Sequence, residues 1–284
     1  MLACSSPSGD GGIDNRFFAV VEYVRRQEVS DILYIMSDKR ETPLSSPPLE
    51  GHHCTVDLRL EKLGLVPFFQ QLAEEQLREV NKKFTASHYS KGETIYRQGD
   101  SSTMLRVVVA GNVKLVSHTL EGEGVLLDML QPGDFFGNPT AGSQDVYNET
   151  AETQTPACIL SIRLSDFREV MNRYSSVAMV VLDITTDRLN ESRQRIQHLS
   201  TLPVTKRIAH ILVTLAHKFG EEDRRGLLIQ LPLSRKDLAD MAGTSAETTS
   251  RVMSQFQEDD LITSGRQWVA IKDKPELLRI SAES

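Results

Sequence analysis

Cysteine is scarce in this chain. Cys4, Cys54 and Cys158 are three thiols scattered over 284 residues with no CxxC pair, too few and too far apart to read as a disulfide framework. Cys158 lies in the strand pattern Ala157-Cys-Ile-Leu-Ser-Ile, which reads as a buried, inert thiol. Long apolar runs are missing too: none approaches the roughly 18 residues of a membrane helix. Met1-Leu-Ala-Cys4 lacks the charged region and apolar stretch that a signal peptide places before its cut, so the expectation is a cytoplasmic protein with no membrane partner. Walker and Rossmann glycine patterns are absent, as is any nucleophile–base constellation, which points away from an enzyme. Cations are in deficit. The net charge of −7 argues against nucleic-acid binding driven by overall charge. Residues 200–284, however, balance 12 basic against 12 acidic side chains, so the acidity sits upstream and local patches decide.

What is present is most informative near the C-terminus. Ser234 is a helix N-cap type with Asp237 three residues on, followed by an apolar face of Leu238, Ala239 and Met241 or Ala242 before Gly243 stops the helix. Ser245 caps the next helix. There Val252 and Phe256, with the following Leu261, are expected to face inward, while Glu247, Ser250 and Arg251 share the opposite face at i, i+3 and i+4. The segment Leu261-Ile-Thr-Ser-Gly-Arg-Gln-Trp-Val-Ala-Ile then alternates around Gly265 as a short hairpin. This order predicts a winged helix-turn-helix that holds double-stranded DNA. Arg251 can pair with guanine O6 and N7, Glu247 can accept from a cytosine amino group, and Ser250 is short enough to permit close approach. Ser234, Lys236, Ser245 and Thr248 lie near helix starts, where hydroxyls and N–H groups hold phosphates.

Upstream, four stretches are distinguished. Residues 1–56 form an extension, Ser/Gly-rich and disordered at its start, with an amphipathic run from Phe17 to Met36 and a linker from Thr42 to Gly51. Residues 57–174 open with a helical pattern over Leu58–Lys83 whose inward candidates are Leu58, Leu60, Leu63, Leu72, Leu77 and Val80. Short strands follow, separated by glycine turns: one ends at Gly99-Asp100, two flank Gly111, two flank the turn Leu120–Gly124, and the last runs over Ala157–Ile162. Such a run indicates an antiparallel barrel or roll. Residues 175–202 keep a 4,3 apolar spacing through Ala178, Leu182, Thr185, Leu189, Ser192, Ile196 and Leu199, with Pro203 ending the helix. That seam wants a partner helix, and a two-fold homodimer would set two reading helices about 34 Å apart. Residues 203–284 form the DNA-binding unit, opened by a helix from Val204.

Gly92-x-x-Ile-Tyr-x-x-Gly-Asp, Val109-x-Gly-x-Val-Lys and Pro132-Gly-Asp-Phe-Phe-Gly, followed by Ser234–Arg251, resemble the Crp/Fnr family of bacterial transcription regulators over about residues 57–275. The resemblance implies an α+β fold: a cyclic-nucleotide-binding-like antiparallel β-roll, a long dimerisation helix and a C-terminal winged helix-turn-helix. It also implies regulated promoter binding, with RNA polymerase as partner. Leu120–Gly124 falls where some relatives touch the polymerase. Whether the outcome is activation or repression does not follow from the residues.

Resemblance also frames the effector question. Cyclic-AMP-binding members hold ribose and phosphate with a Gly-Glu pair and, about ten residues on, an Arg-Ser pair. Here those positions read Gly137-Asn138 and, allowing one extra residue, Glu149-Thr150, while Arg188 and Ser192 match nucleotide-contacting positions of the dimer helix. A glutamate opposite a phosphate has the wrong sign, so cyclic AMP is disfavoured. An iron–sulfur cluster needs four thiolates and is disfavoured by the count of three. Haem or another metal would draw on His52, His53, Cys54, His88 and His118, whose spacing does not connect them, and the effector stays open. Glu247-Thr-Thr-Ser-Arg251 resembles the fumarate–nitrate regulator branch, which implies half-sites closer to TTGAT than to TGTGA. Other readings are a cyclic-nucleotide- or haem-responsive module and a cupin-like metalloenzyme, the latter short of ligands with only His88 and His118 in the β region.

Overall fold

The computed structural model describes residues 43–44, 54–119, 124–139 and 145–282. The extension's helical run, His52, His53, Cys4 and the 120–123 turn lie outside them. Thr55 caps helix α1 (Val56–Leu65) by accepting from the Leu58 N–H at 3.3 Å, and Leu60 and Leu63 turn inward. The helical pattern over Leu58–Lys83 is not continuous, because Pro67 forbids helical backbone at Val66. A 3₁₀ turn, Pro67–Phe69, intervenes before helix α2 (Glu74–Asn81). Phe68 and Phe69 fill the gap so made, packing edge-on against each other and against Phe135, Phe84 and Phe167. Of the six inward candidates, Leu60, Leu63, Leu77 and Val80 are buried, while Leu58 and Leu72 pack half-buried at the margin.

The strands are β1 (Thr85–Tyr89), β2 (Thr94–Tyr96), β3 (Met104–Ala110), β4 (Val113–His118), β5 (Gly124–Leu130), β6 (Phe135–Phe136), β7 (Thr150–Thr153) and β8 (Ala157–Arg163). They form two antiparallel four-stranded sheets, ordered β1-β8-β3-β6 and β2-β7-β4-β5, whose inner faces make the roll. Gly111 is required where β3 turns into β4: its φ is +80° and a Cβ there would stand 2.2 Å from the Pro156 carbonyl oxygen.

Cys54 and Cys158 form a disulfide, which corrects the expectation of scattered, inert thiols. Their 104-residue separation hides a contact that folding creates: Leu60 and Leu63 of α1 are buried in the cluster that contains Cys158, and Cys54 packs against it. The Arg59 guanidinium clamps the same helix to the Asn81 and Phe84 carbonyls. Cys54 and Thr55 therefore belong to the packed unit and not to the extension. Leu44, placed in a linker by its neighbours' composition, packs against Leu228, Trp268 and Ala270.

Helix α3 (Leu164–Arg173) leads into α4 (Ser175–Thr201), whose Val177 and Val181 join the roll's core. Leu202 closes α4 and Pro203 starts α5 (Val204–Phe219), the first helix of the C-terminal unit. A hairpin of β9 (Gly220–Asp223) and β10 (Gly226–Ile229), not anticipated from its charged sequence, precedes helices α6 (Arg235–Ala242) and α7 (Ala246–Glu258). Strands β11 (Ile262–Gly265) and β12 (Trp268–Ile271) complete a sheet ordered β11-β12-β10-β9, and α8 (Lys274–Ala282) packs on α5. Trp268 is 3% exposed, flush against Gly265, with the Arg225 guanidinium 5.6 Å from its ring centre. The two units share a core. Leu126 and Met129 of β5 are buried among Ile208, Leu212 and Leu238. Lys218 of α5 crosses the seam, donating to the Met129 carbonyl at 2.6 Å and pairing with Asp134 at 2.8 Å.

Candidate nucleic-acid interface and sensor cavity

Both helix starts of the helix-turn-helix are built from short side-chain hydrogen bonds. The Ser234 hydroxyl accepts from the Asp237 N–H at 3.1 Å, and the Asp237 carboxylate accepts from the Ser234 N–H at 2.8 Å, a reciprocal cap. Gly243, at φ +59° and ψ 51°, ends α6 in the left-handed conformation. Ser245 then caps α7 by accepting from the Thr248 N–H at 3.1 Å. Inward residues of α6 are Leu238, Ala239 and Ala242, with Met241 only half-buried. On α7 the buried row is Thr249, Met253 and Phe256, and Val252 packs half-buried against the same core, at the edge of the inner face. Leu261 is buried as expected.

The opposite face is open to solvent. Glu247, Ser250 and Arg251 are all exposed, and the Arg251 guanidinium lies 3.9 Å from the Glu247 carboxylate, a loose pair with both side chains in solvent. Of the positioning candidates, Lys236 is exposed and pairs with Asp240 at 3.2 Å, while the hydroxyls of Ser245 and Thr248 bond to each other at 3.0 Å. The Ser234 hydroxyl is half-buried and also donates to Asp237, so its side chain is engaged by the cap. Arg235, not singled out from the sequence, donates to the Ser264 hydroxyl at 2.8 Å and ties α6 to the wing, and burial lowers its pKa.

In the roll, a cavity of about 440 Å³ opens between β6, the segment before β7 and α4. Gly137, Asn138, Glu149, Arg188 and Ser192 line it, five of the six residues expected there. Thr150 does not: strand alternation turns it to the other face, where its hydroxyl accepts from the Gln98 N–H at 3.1 Å. Arg188 donates to the Phe135 carbonyl at 3.2 Å with its guanidinium 4.2 Å from that ring's centre. Next to the cavity stands a cluster that sequence reading missed. The Tyr96 and Tyr147 rings stack at 3.7 Å; Arg106 donates to the Tyr147 hydroxyl at 2.6 Å, and the Tyr96 hydroxyl donates to Glu149 at 2.8 Å. Burial first, then the Glu149 charge, pushes the Tyr96 phenol far above its usual range. The Glu149 carboxylate is thus held as a hydrogen-bond acceptor in the cavity wall. Tyr96, Arg106 and Tyr147 are far apart in sequence, and only Tyr96 lay in a recognised motif.

The expected seam of α4 is uncovered in the single chain. Leu182, Leu189, Ile196 and Leu199 are 58%, 51%, 65% and 43% exposed, and Thr185 and Ser192 stand open between them. Ala178 is half-buried. Among the described residues, no three His, Cys, Asp or Glu side chains gather as a metal site. Cys54 is taken by the disulfide; His88 and His118 are exposed on β1 and β4. No described helix is long and apolar enough to cross a membrane.

With this geometry in hand, comparison with known proteins is direct. Residues 206–280 match the family model of the Crp-like helix-turn-helix domain, and residues 86–174 that of the cyclic nucleotide-binding domain. The chain is 30% identical over 196 residues to the transcriptional activator protein FnrL of Cereibacter sphaeroides, covering 67% of this chain and 77% of that one. It is 27% identical over 215 residues to the cyclic AMP receptor protein of Thermus thermophilus, covering 76% and 96%. FixK2 from Bradyrhizobium japonicum shares the fold, with a TM-score of 0.63 at 22% identity over 71% of this chain and 98% of that one.

Proposed function

Since this chain belongs to the Crp/Fnr family of DNA-binding transcription regulators, we propose that it works as a homodimer on a palindromic promoter site with TTGAT-like half-sites, and that cyclic AMP is not its effector. The observation that carries the reading is the exposed row Glu247, Ser250 and Arg251 on a helix whose start is capped by Ser245. A guanidinium and a carboxylate on one face suit adjacent guanine and cytosine edges. Lys236, Ser245 and Thr248 lie at the helix starts, where the phosphate backbone passes and contacts set register without reading sequence. The open apolar seam of α4 supports the dimer, which gives the palindrome its two-fold axis.

The effector half of the reading rests on charge. A cyclic nucleotide brings a phosphate anion, and this cavity meets it with Glu149, fixed by Tyr96, and with the neutral Asn138. Among the described residues Arg188 is the one cation of the lining, already engaged with the Phe135 carbonyl and ring. RNA polymerase is the partner expected once DNA is bound.

Sedimentation with anisotropy on labelled duplexes tests this. The expected result is a dimer that prefers the TTGAT palindrome to a TGTGA palindrome and to scrambled DNA, with no gain from millimolar cyclic AMP. A monomer on DNA, a TGTGA preference, or a nucleotide-dependent rise in affinity each overturns the corresponding part.

A further inference from the structure

A second cavity, about 450 Å³, lies between β5, the end of α4 and α5, separate from the one beside Glu149. Glu191, Arg195 and His198 stand at i, i+4 and i+7 on α4, and Arg207, His210 and Lys218 at i, i+3 and i+11 on α5, so two helix stripes face each other across it. Its charges are unevenly paired. Lys218 is satisfied by Asp134 at 2.8 Å, with Asp128 of β5 at 3.8 Å, which accounts for both aspartates near it. Arg195 and Arg207 are held instead by neutral carbonyl oxygens, Leu127 at 2.6 Å and Leu199 at 3.2 Å. Among the described residues neither has a carboxylate in ion-pair range, and the Arg207 Nε is buried without a hydrogen-bond partner. The His198 and His210 rings meet edge-on at 4.9 Å, one from each helix.

We propose that this cavity binds a small phosphorylated metabolite carrying at least two negative charges, gripped by Arg195 from α4 and Arg207 from α5 with His198 and His210 between them. The arrangement has the features such a ligand needs. Two guanidiniums on opposite walls can each present a fork of N–H donors to phosphate oxygens. A volume of this size suits a small metabolite. Burial first, and then the neighbouring His198 and Arg195, holds the His210 imidazole below its usual pKa, so an anion placed between them would relieve that repulsion. Because α4 carries the seam and α5 opens the DNA-binding unit, the ligand would join the two across the break at Leu202–Pro203. The inference goes beyond the effector reading above and stands on different residues.

Inorganic pyrophosphate is the probe, titrated into the full chain without DNA by calorimetry and by the imidazole proton resonances. The expected result is one saturable site, His198 and His210 titration midpoints both moved upward on saturation, and affinity at least about tenfold weaker in Arg195→Gln and Arg207→Gln. Glu191→Gln, which removes the remaining acid from the wall, should tighten binding, so the proposal does not depend on a variant that fails to fold. Equal binding by the wild type and both arginine variants, an adventitious ion only, overturns it. So does binding abolished by Arg188→Gln, which would put the anion in the roll, and so do histidine midpoints that stay in place.

Discussion

Arg251 and Lys236 carry the same charge on neighbouring helices, yet their surroundings give them different work. Arg251 projects from the middle of the exposed face of α7, whereas Lys236 sits in the first turn of α6 beside Asp240. Arg251→Ala should therefore cost about 1–3 kcal/mol at one guanine and relax discrimination there. Lys236→Ala should weaken every sequence alike and flatten the salt dependence of binding. Competition across single-base operator variants separates the two, and uniform losses for both would sink the assignment. At this scale the caps were plain in the sequence, because Ser234, Gly243 and Ser245 act on backbone groups no more than four residues away. On the inner face of α7, Phe256 and Leu261 are buried as their hydropathy indicates, while the burial of Thr249 beside Met253 comes from their neighbours' packing and is not marked in the sequence. The Tyr96, Arg106 and Tyr147 cluster was invisible, because the turns between the strands decide which side chains meet.

Helix α4 shows what an element can reveal before its partner is known. Its inner residues Val177 and Val181 are satisfied within the chain, while Leu182, Leu189 and Ile196 face solvent on another side. Leu189→Glu places a carboxylate opposite its own symmetry mate in the proposed dimer. It should raise the dimer dissociation constant at least about tenfold, roughly 1.4 kcal/mol, while the monomer keeps its helical content. Sedimentation at several concentrations reads this, and an unchanged constant would remove Leu189 from the interface. The 4,3 spacing was legible because a continuous helix preserves register; the break at Pro67 that split the first helical pattern follows from the same backbone rules. Disulfide pairing was not legible. Closing a 104-residue loop restricts the unfolded chain, so Cys54→Ser should lower stability by about 2–4 kcal/mol under oxidising conditions. A reducing agent should bring the wild type to the same denaturation midpoint and leave the variant where it is; if it moves neither, the bond contributes nothing.

For the molecule as a whole, the decisive feature is that the DNA-binding unit is docked on the β-roll. Leu126 and Met129 of the roll are buried in the C-terminal core, and Lys218 bonds across to Asp134 in the turn that carries the cavity residues Phe135 and Phe136. Lys218→Glu sets two acids against each other and should cost about 1–3 kcal/mol, splitting one calorimetric transition into two. Asp134→Lys added to it should restore much of the loss, and a double variant no better than the single would mean the pair does not hold the units together. The order of units along the chain was legible from composition and glycine turns. Their docking was not, because β5 alternates like any strand of a roll and nothing in its sequence marks Leu126 and Met129 as facing another unit.

The place of Trp268 has an optical consequence. It is the only tryptophan, buried in the wing beside Arg225, while all six tyrosines precede residue 200. Light absorbed by indole alone therefore reports the DNA-binding unit, and phenol absorption or emission reports the sensor and extension. Without any attached dye, one unlabelled sample yields two independent colours, and the delay between their changes gives the order in which the parts come undone.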